Sequence, residues 1–174
     1  MIARIVGDRE IDLCGIDLSV AAVRRAVRTV PAATWIVANA DRRLPLATGS
    51  VDLALSLFGR RNGPEVRRVL RPHGRLVVAI PGGDDLIELR GAVQGTGLVV
   101  ERVPVVVDAL TSDFALAGQR TVRWGATLDA ARIEDALALT YRGARHRERE
   151  RAARLTSLEV TLSAELLDFR PRRR

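Results

Sequence analysis

Lysine is missing from this chain: all 28 basic residues are arginine. Aromatic residues make up only 3% of the sequence, and cysteine occurs once, at Cys14. Each shortage excludes something. A single cysteine cannot close an internal disulfide, nor supply the four ligands of a structural zinc site. With so few rings, the core has to be built from Val, Leu, Ile and Ala. No apolar run approaches the ~18 to 20 residues that span a bilayer. The longest, Leu76–Ile80 and Val103–Val107, have the length of strands. No apolar leader with a cleavage pattern opens the chain. These absences point to a cytoplasmic protein with no membrane partner.

What is present fits one globular domain. The chain has 174 residues, 47% hydrophobic and 28% charged, enough for a sizeable core. The formal charge is +7. A basic surface favours nucleic acid, because neutralising phosphates supplies most non-specific affinity. Arginine without lysine, alongside abundant Ala and Val, also fits a plain compositional bias, so charge alone leaves the partner open.

Short β-branched runs alternate with helical patterns, the mark of an α/β protein with a mostly parallel sheet. Strands are expected at Asp12–Asp17, Trp35–Ala38, Val51–Phe58 and Arg75–Ile80. Ser19 should cap a helix over Val20–Val30, with Val23, Ala26, Val27 and Val30 on one face. Helices are expected at Pro64–Leu70, ended by Pro72 and Gly74, and at Asp84–Gln94. Phe114–Leu128 should hold one or two strands, and Asp129 should cap a helix to about Leu139. The Arg/Glu alternation of Arg145–Arg154 reads as a solvated helix. Leu158–Phe169 reads as a last strand, antiparallel or at an edge. The division expected is a domain over residues 1–169 and a frayed basic tail over 170–174.

Two segments carry candidate chemistry. In Gly15-Ile16-Asp17-Leu18-Ser19 a strand ends in an acid and a helix begins two residues later. Ligands of doubly wound folds sit at the carboxyl ends of strands. Asp17 there could accept hydrogen bonds from both ribose hydroxyls, or merely cap the helix. Asn39, in Ala38-Asn39-Ala40-Asp41, could read an adenine amine or be an ordinary loop residue. Asp52 reads as structural, and His73 and His146 as solvated.

Together, "GIDLS", "VANADRRLPLATGSVDLALSLF" and "VRRVLRPHGRLVVAIP" resemble, in order and spacing, the class I S-adenosylmethionine-dependent methyltransferases. A closer resemblance lies in Phe58-Gly59-Arg60-Arg61-Asn62, then Glu65, Arg68-Val69-Leu70-Arg71-Pro72, and Ile80-Pro81 to Asp85-Leu86-Ile87-Glu88-Leu89. These are similar to the 23S ribosomal RNA (guanine-N1)-methyltransferase family, and the similarity runs more faintly through "LTYRGARH" to "LEVTLSAELLDF". The resemblance implies a Rossmann-like methyltransferase sheet with an antiparallel C-terminal strand, S-adenosylmethionine as cofactor, and ribosomal RNA as partner. By it, Asp17 would hold the cofactor ribose with Leu18 beside it. Asn39, with Ala40 or Asp41, would sit by the adenine. Phe58, Arg61 and Asn62 would line the pocket for the methyl donor and the target base. No general base can be named.

The pattern also departs from the family. The glycine-rich cofactor loop should precede "GIDLS" by about 15 to 20 residues. Only 14 residues precede Gly15, and Gly7 is the sole glycine among them. Met1–Asp8 reads as the tail of the crossover helix, so the expectation is an N-terminally truncated domain lacking its first strand, its glycine-rich loop and the family's cysteine-based zinc region. Asp85 stands where the family has histidine, His73 where a second glycine is usual, and Arg142 where proline is common. In the family's sheet the first strand lies between the second and the fourth. Without it, the second strand must pair directly with the fourth, or a second chain must cover the exposed edges, or folding suffers. Two further function classes stay open: an inactive remnant or RNA-binding module, and a small-molecule methyltransferase.

Overall fold

A computed structural model of the chain describes residues 11–95, 97–140 and 146–172. The crossover-helix tail expected at Met1–Asp8, the start of the Arg/Glu helix at Arg145, and Arg142 lie outside them.

In chain order the elements are β1 (Cys14–Asp17), α1 (Val20–Thr29), β2 (Thr34–Val37), β3 (Val51–Leu57), α2 (Gly63–Val69), β4 (Leu70–Pro81), α3 (Ile87–Gln94), α4 (Val103–Leu110), β5 (Phe114–Asp129), α5 (Ala130–Thr140), α6 (His146–Ala152) and β6 (Ser157–Pro171). The strands form two sheets. β1 and β2 pair in parallel by themselves, and the larger sheet has the order β3-β4-β6-β5. β3 and β4 are parallel, while β6 runs antiparallel between β4 and β5. The last strand is therefore central, and β5 forms the edge.

β1 and β3 do not pair with each other among the described residues. Each is a parallel strand with one edge unpartnered, which is the interruption that loss of a strand between them would leave. The consequence shows in the side chains. Leu53, Leu55 and Leu57 of β3 are 51%, 44% and 55% exposed, although strands of this composition are normally covered. Val20 and Val27 of α1 are also exposed, so the apolar face expected there is only partly buried, with Val23 innermost.

The core sits on the larger sheet, around β4 and β6. Leu76, Val78 and Ile80 of β4 pack with Leu167 and Phe169 of β6 and with Val106 and Leu110 of α4. A second cluster joins Leu89 and Val93 of α3 to Ile133 and Leu137 of α5 and Val160 of β6. Phe114 and Phe169 meet edge to face at 6.5 Å.

Four expectations need correction. Val103–Val107 belongs to a helix, α4. Its apolar residues recur at Val103, Val106, Val107 and Leu110, the spacing of one helical face, and Pro104 sits in its first turn. Pro72 and Gly74 do not end a helix. α2 stops at Val69, Leu70 pairs with Val51, and pairing resumes at Leu53↔Arg75, so residues 71–74 form an irregularity within β4. α3 starts three residues late, because Leu86 adopts a left-handed backbone (φ 52°) and the Asp84 and Asp85 side chains are taken by Ser163. The tail is ordered beyond Phe169: β6 runs to Pro171, and the Arg172 amide donates to the Asp113 carbonyl at 2.9 Å. Arg173 and Arg174 lie outside the described residues.

Candidate cofactor and substrate crevice

Residues following β2 meet residues following β3, so the carboxyl ends of the parallel strands open on one side. The candidate residues lie along this rim. Asp17 closes β1. Its Oδ1 accepts the Ser19 amide at 2.7 Å, and Ser19 caps α1 by accepting the Ala22 amide at 3.2 Å. Asp17 thus does act at the helix start, yet it is exposed and its second oxygen has no partner among the described residues. Leu18 beside it is 69% exposed. β1 can carry this rim close to β2 because Gly15 lies opposite Trp35. A Cβ at Gly15 would strike the indole, whose Nε1 donates to the Val30 carbonyl at 3.0 Å.

After β2, Asn39 makes a local turn: its Oδ1 accepts the Asp41 amide at 2.9 Å. Ala40 is half-buried, and the Asp41 carboxylate pairs with Arg60 at 3.3 Å. After β3, Phe58 holds a left-handed backbone (φ 54°), with its amide donating to the Ala79 carbonyl at 2.9 Å. A non-glycine residue in this region is uncommon and tends to mark functional strain. Its ring is 64% exposed, whereas the other two phenylalanines are buried together. Arg61 is exposed.

Asn62 is used twice. Its Oδ1 caps α2 by accepting the Glu65 amide at 3.3 Å, and its Nδ2 donates to the Asp41 carbonyl at 3.0 Å. The structure therefore unites Asp41, Arg60 and Asn62. No hydrogen bond or ion pair among the described residues joins Asp17 to Phe58 or Arg61.

Sequence reasoning missed how this rim is held. Asn62 and Glu65 have the spacing of a capping box. Glu65, however, turns outward: Oε2 accepts the Leu44 amide at 2.8 Å and pairs with Arg68 at 2.9 Å. Arg68 in turn donates to the Leu44 and Leu46 carbonyls, each at 3.0 Å. The Arg68 hydrogen bond, aided by the Leu44 amide, lowers the Glu65 carboxyl to about 2. The pair fastens the loop after β2 onto α2. The spacing Asn-x-x-Glu-x-x-Arg was the available signal.

Beside the rim, at the carboxyl end of β4, a cavity of about 440 Å³ is lined by Pro81, Asp84, Val100, Arg102, Gln119 and Glu165 among others. Two of the acids lining it, Asp84 and Glu165, already have partners; the third is Glu101. Asp84 accepts the Ser163 hydroxyl at 2.5 Å, which holds its carboxyl below the usual range. Glu165 accepts from Gln119 and Thr121. Nearby, Asp85 accepts the Ser163 amide at 2.9 Å, and burial pushes its carboxyl up.

No protein-family profile matches the chain. In sequence it is 35% identical over 160 residues to the 23S rRNA (guanine(748)-N(1))-methyltransferase of Streptomyces fradiae, spanning 90% of this chain and 57% of that protein. The chain is related to the 23S ribosomal RNA (guanine-N1)-methyltransferases. A Micromonospora griseorubida protein, provisionally named a 23S rRNA (guanine-N(1)-)-methyltransferase, is 42% identical over 108 residues, covering 62% of this chain and 37% of that one. This methyltransferase relative thus spans about half or less of the length of the curated proteins it matches. In fold it is similar to a Bacillus halodurans protein, provisionally named a methyltransferase, with a TM-score of 0.59 at 10% identity over 92% of this chain and 83% of that one. The fold is Rossmann-like and mixed, with an antiparallel C-terminal strand, as the sequence led one to expect. No helix among the described residues is long and apolar enough to cross a membrane.

Proposed function

We propose that this chain is part of an S-adenosylmethionine-dependent methyltransferase that modifies guanine N1 in 23S ribosomal RNA. The observation that carries the reading is the junction of Asp41, Arg60 and Asn62 beside the left-handed Phe58, at the rim that Asp17 also lines. Those positions fall inside the segments that resemble the family.

S-adenosylmethionine, when bound, supplies an activated methyl group. The residues present fit one half of it. Asp17 keeps one carboxylate oxygen for the ribose hydroxyls. Asn39 keeps its Nδ2, and Ala40 and Asp41 offer a backbone edge to the adenine. Phe58 offers an exposed ring on which a base can stack. Arg61 can contact the RNA, and Asn62 sets the geometry of the rim. For the amino-acid half there is no glycine-rich cradle among the described residues. We therefore place that half on one further parallel strand between β1 and β3, supplied by a second chain or by polypeptide outside the described residues. Guanine N1 must also lose its proton.

The test is methylation of a 23S rRNA fragment, read as N1-methylguanosine by mass spectrometry. The chain would be co-produced with the part of the Streptomyces fradiae relative that has no counterpart here. N1-methylguanosine is expected from that pair and not from the pair carrying Asp17→Ala. Methylation at another atom, or equal turnover by the variant, would refute the reading.

A further inference from the structure

The amino end of β4 and the carboxyl end of β6 meet at the end of the sheet away from the rim. From Gly74 to Pro81 along β4 the separation is about 23 Å at 3.3 Å per residue. A cavity of about 420 Å³ opens there between Arg67 of α2, Pro72 and His73 of β4, and Arg170, Pro171 and Arg172. Three guanidiniums and an imidazole line it, and no carboxylate does so among the described residues.

Neighbouring arginines are neutralised. Arg71 rests on Asp52 and Arg75 on Asp168, each at 2.6 Å. Arg67, Arg170 and Arg172 have no ion pair among the described residues. Arg172 is nevertheless oriented, by neutral acceptors: Nε donates to the Phe114 carbonyl at 3.1 Å, and Nη2 reaches the Thr111 hydroxyl at 3.4 Å. Its planar fork is fixed and its charge is left uncancelled. The closest acid by backbone contact, Asp113, turns its carboxylate to Ser112 at 3.1 Å. Like charges gathered in a concavity without a counter-charge repel one another, and an anion relieves that repulsion. A planar guanidinium matches phosphate oxygens in pairs. Exposed Arg61 leads toward the cavity along α2, which is about 10 Å long.

We propose that this cavity binds a backbone phosphate of RNA, as a second contact at the opposite end of the sheet from the rim. The proposal rests on the RNA reading above. The experiment is fluorescence anisotropy of the chain with a labelled 23S rRNA hairpin, titrated between about 50 and 200 mM salt. Arg67→Gln/Arg170→Gln is compared with Arg24→Gln/Arg25→Gln on α1, which removes the same charge elsewhere. The cavity variant should bind about 10-fold more weakly, with the slope of log K against log salt reduced by about 0.7 to 0.9, the value for one phosphate. The α1 variant should change by less than about 2-fold, and Arg67→Lys/Arg170→Lys should keep the slope, since it keeps the charge. Cavity and α1 variants that behave alike would overturn the site. Tight saturable competition by inorganic phosphate would also overturn it, giving the cavity to the free ion. Failure of the unaltered chain to bind the hairpin would instead sink the RNA reading itself.

Discussion

The Asn62 side chain joins the loop after β2 to the start of α2: its amide donates to the Asp41 carbonyl at 3.0 Å, while its oxygen accepts the Glu65 amide at 3.3 Å. One residue thereby fixes two segments of the rim. Asn62→Ala removes both contacts and should cost about 0.5 to 2 kcal/mol, the range for a lost helix cap. Asn62→Asp keeps the cap and loses the donor, so it should fall between. Urea denaturation of the three proteins checks the order. Equal midpoints would show that neither contact matters.

The Glu65–Arg68 pair gives the rim a pH dependence. The folded carboxyl lies at about 2, below its ordinary value of 4.5. A depressed carboxyl contributes fully above the ordinary value and loses that contribution as pH falls toward the folded one. Protease protection of the loop around Leu44 should hold from neutral pH to about 4.5 and decline from there to about 2. Glu65→Gln should start less protected and show a flatter decline. A variant that tracks the parent would remove the pair from the account.

Gly15 exists for Trp35. Gly15→Val sets a side chain against the indole across β1–β2, an overpacking of about 1 to 3 kcal/mol. The fluorescence of Trp35, compared in a Trp124→Phe background, should shift to the red as the ring leaves its half-buried site. An unshifted spectrum with unchanged stability would mean that β1 and β2 do not pack this way.

Leu55 lies on the uncovered face of β3. Leu55→Lys should alter stability by no more than about 0.5 kcal/mol, as at an ordinary surface site. It should also reduce concentration-dependent association, because a charge blunts an open apolar strand. Light scattering across a dilution series reads this. A large loss of stability would show that Leu55 is covered in the folded chain.

Much of this was legible in advance, for physical reasons. Helix and strand periods placed β1, α1, β3, α2 and β6 to within a few residues, because caps such as Ser19 and apolar alternation are local signals. The separation of β1–β2 from the larger sheet followed from strand order. α4 was misread because Val-rich segments look like strands when only run length is weighed, although Val103, Val106, Val107 and Leu110 share a helical face. The Glu65–Arg68 staple was legible only as the local spacing Asn62-x-x-Glu65-x-x-Arg68, since its far partners, Leu44 for Glu65 and Leu44 and Leu46 for Arg68, lie across the fold. Asn62 was expected to face substrate; its side chain contacts the Asp41 carbonyl and the Glu65 amide, partners that the sequence did not reveal.

The most direct test of the account is a ligand-observed NMR titration of the chain and its Asp17→Ala variant with adenosine and with S-adenosylmethionine. The account expects contacts through the adenosine portion of both ligands, weakened at least about 10-fold in the variant, as for a lost hydrogen bond to a charged group. Absence of adenosine contacts in the unaltered chain, or equal contacts in the variant, would contradict the claim that this rim is the nucleoside half of a methyltransferase site.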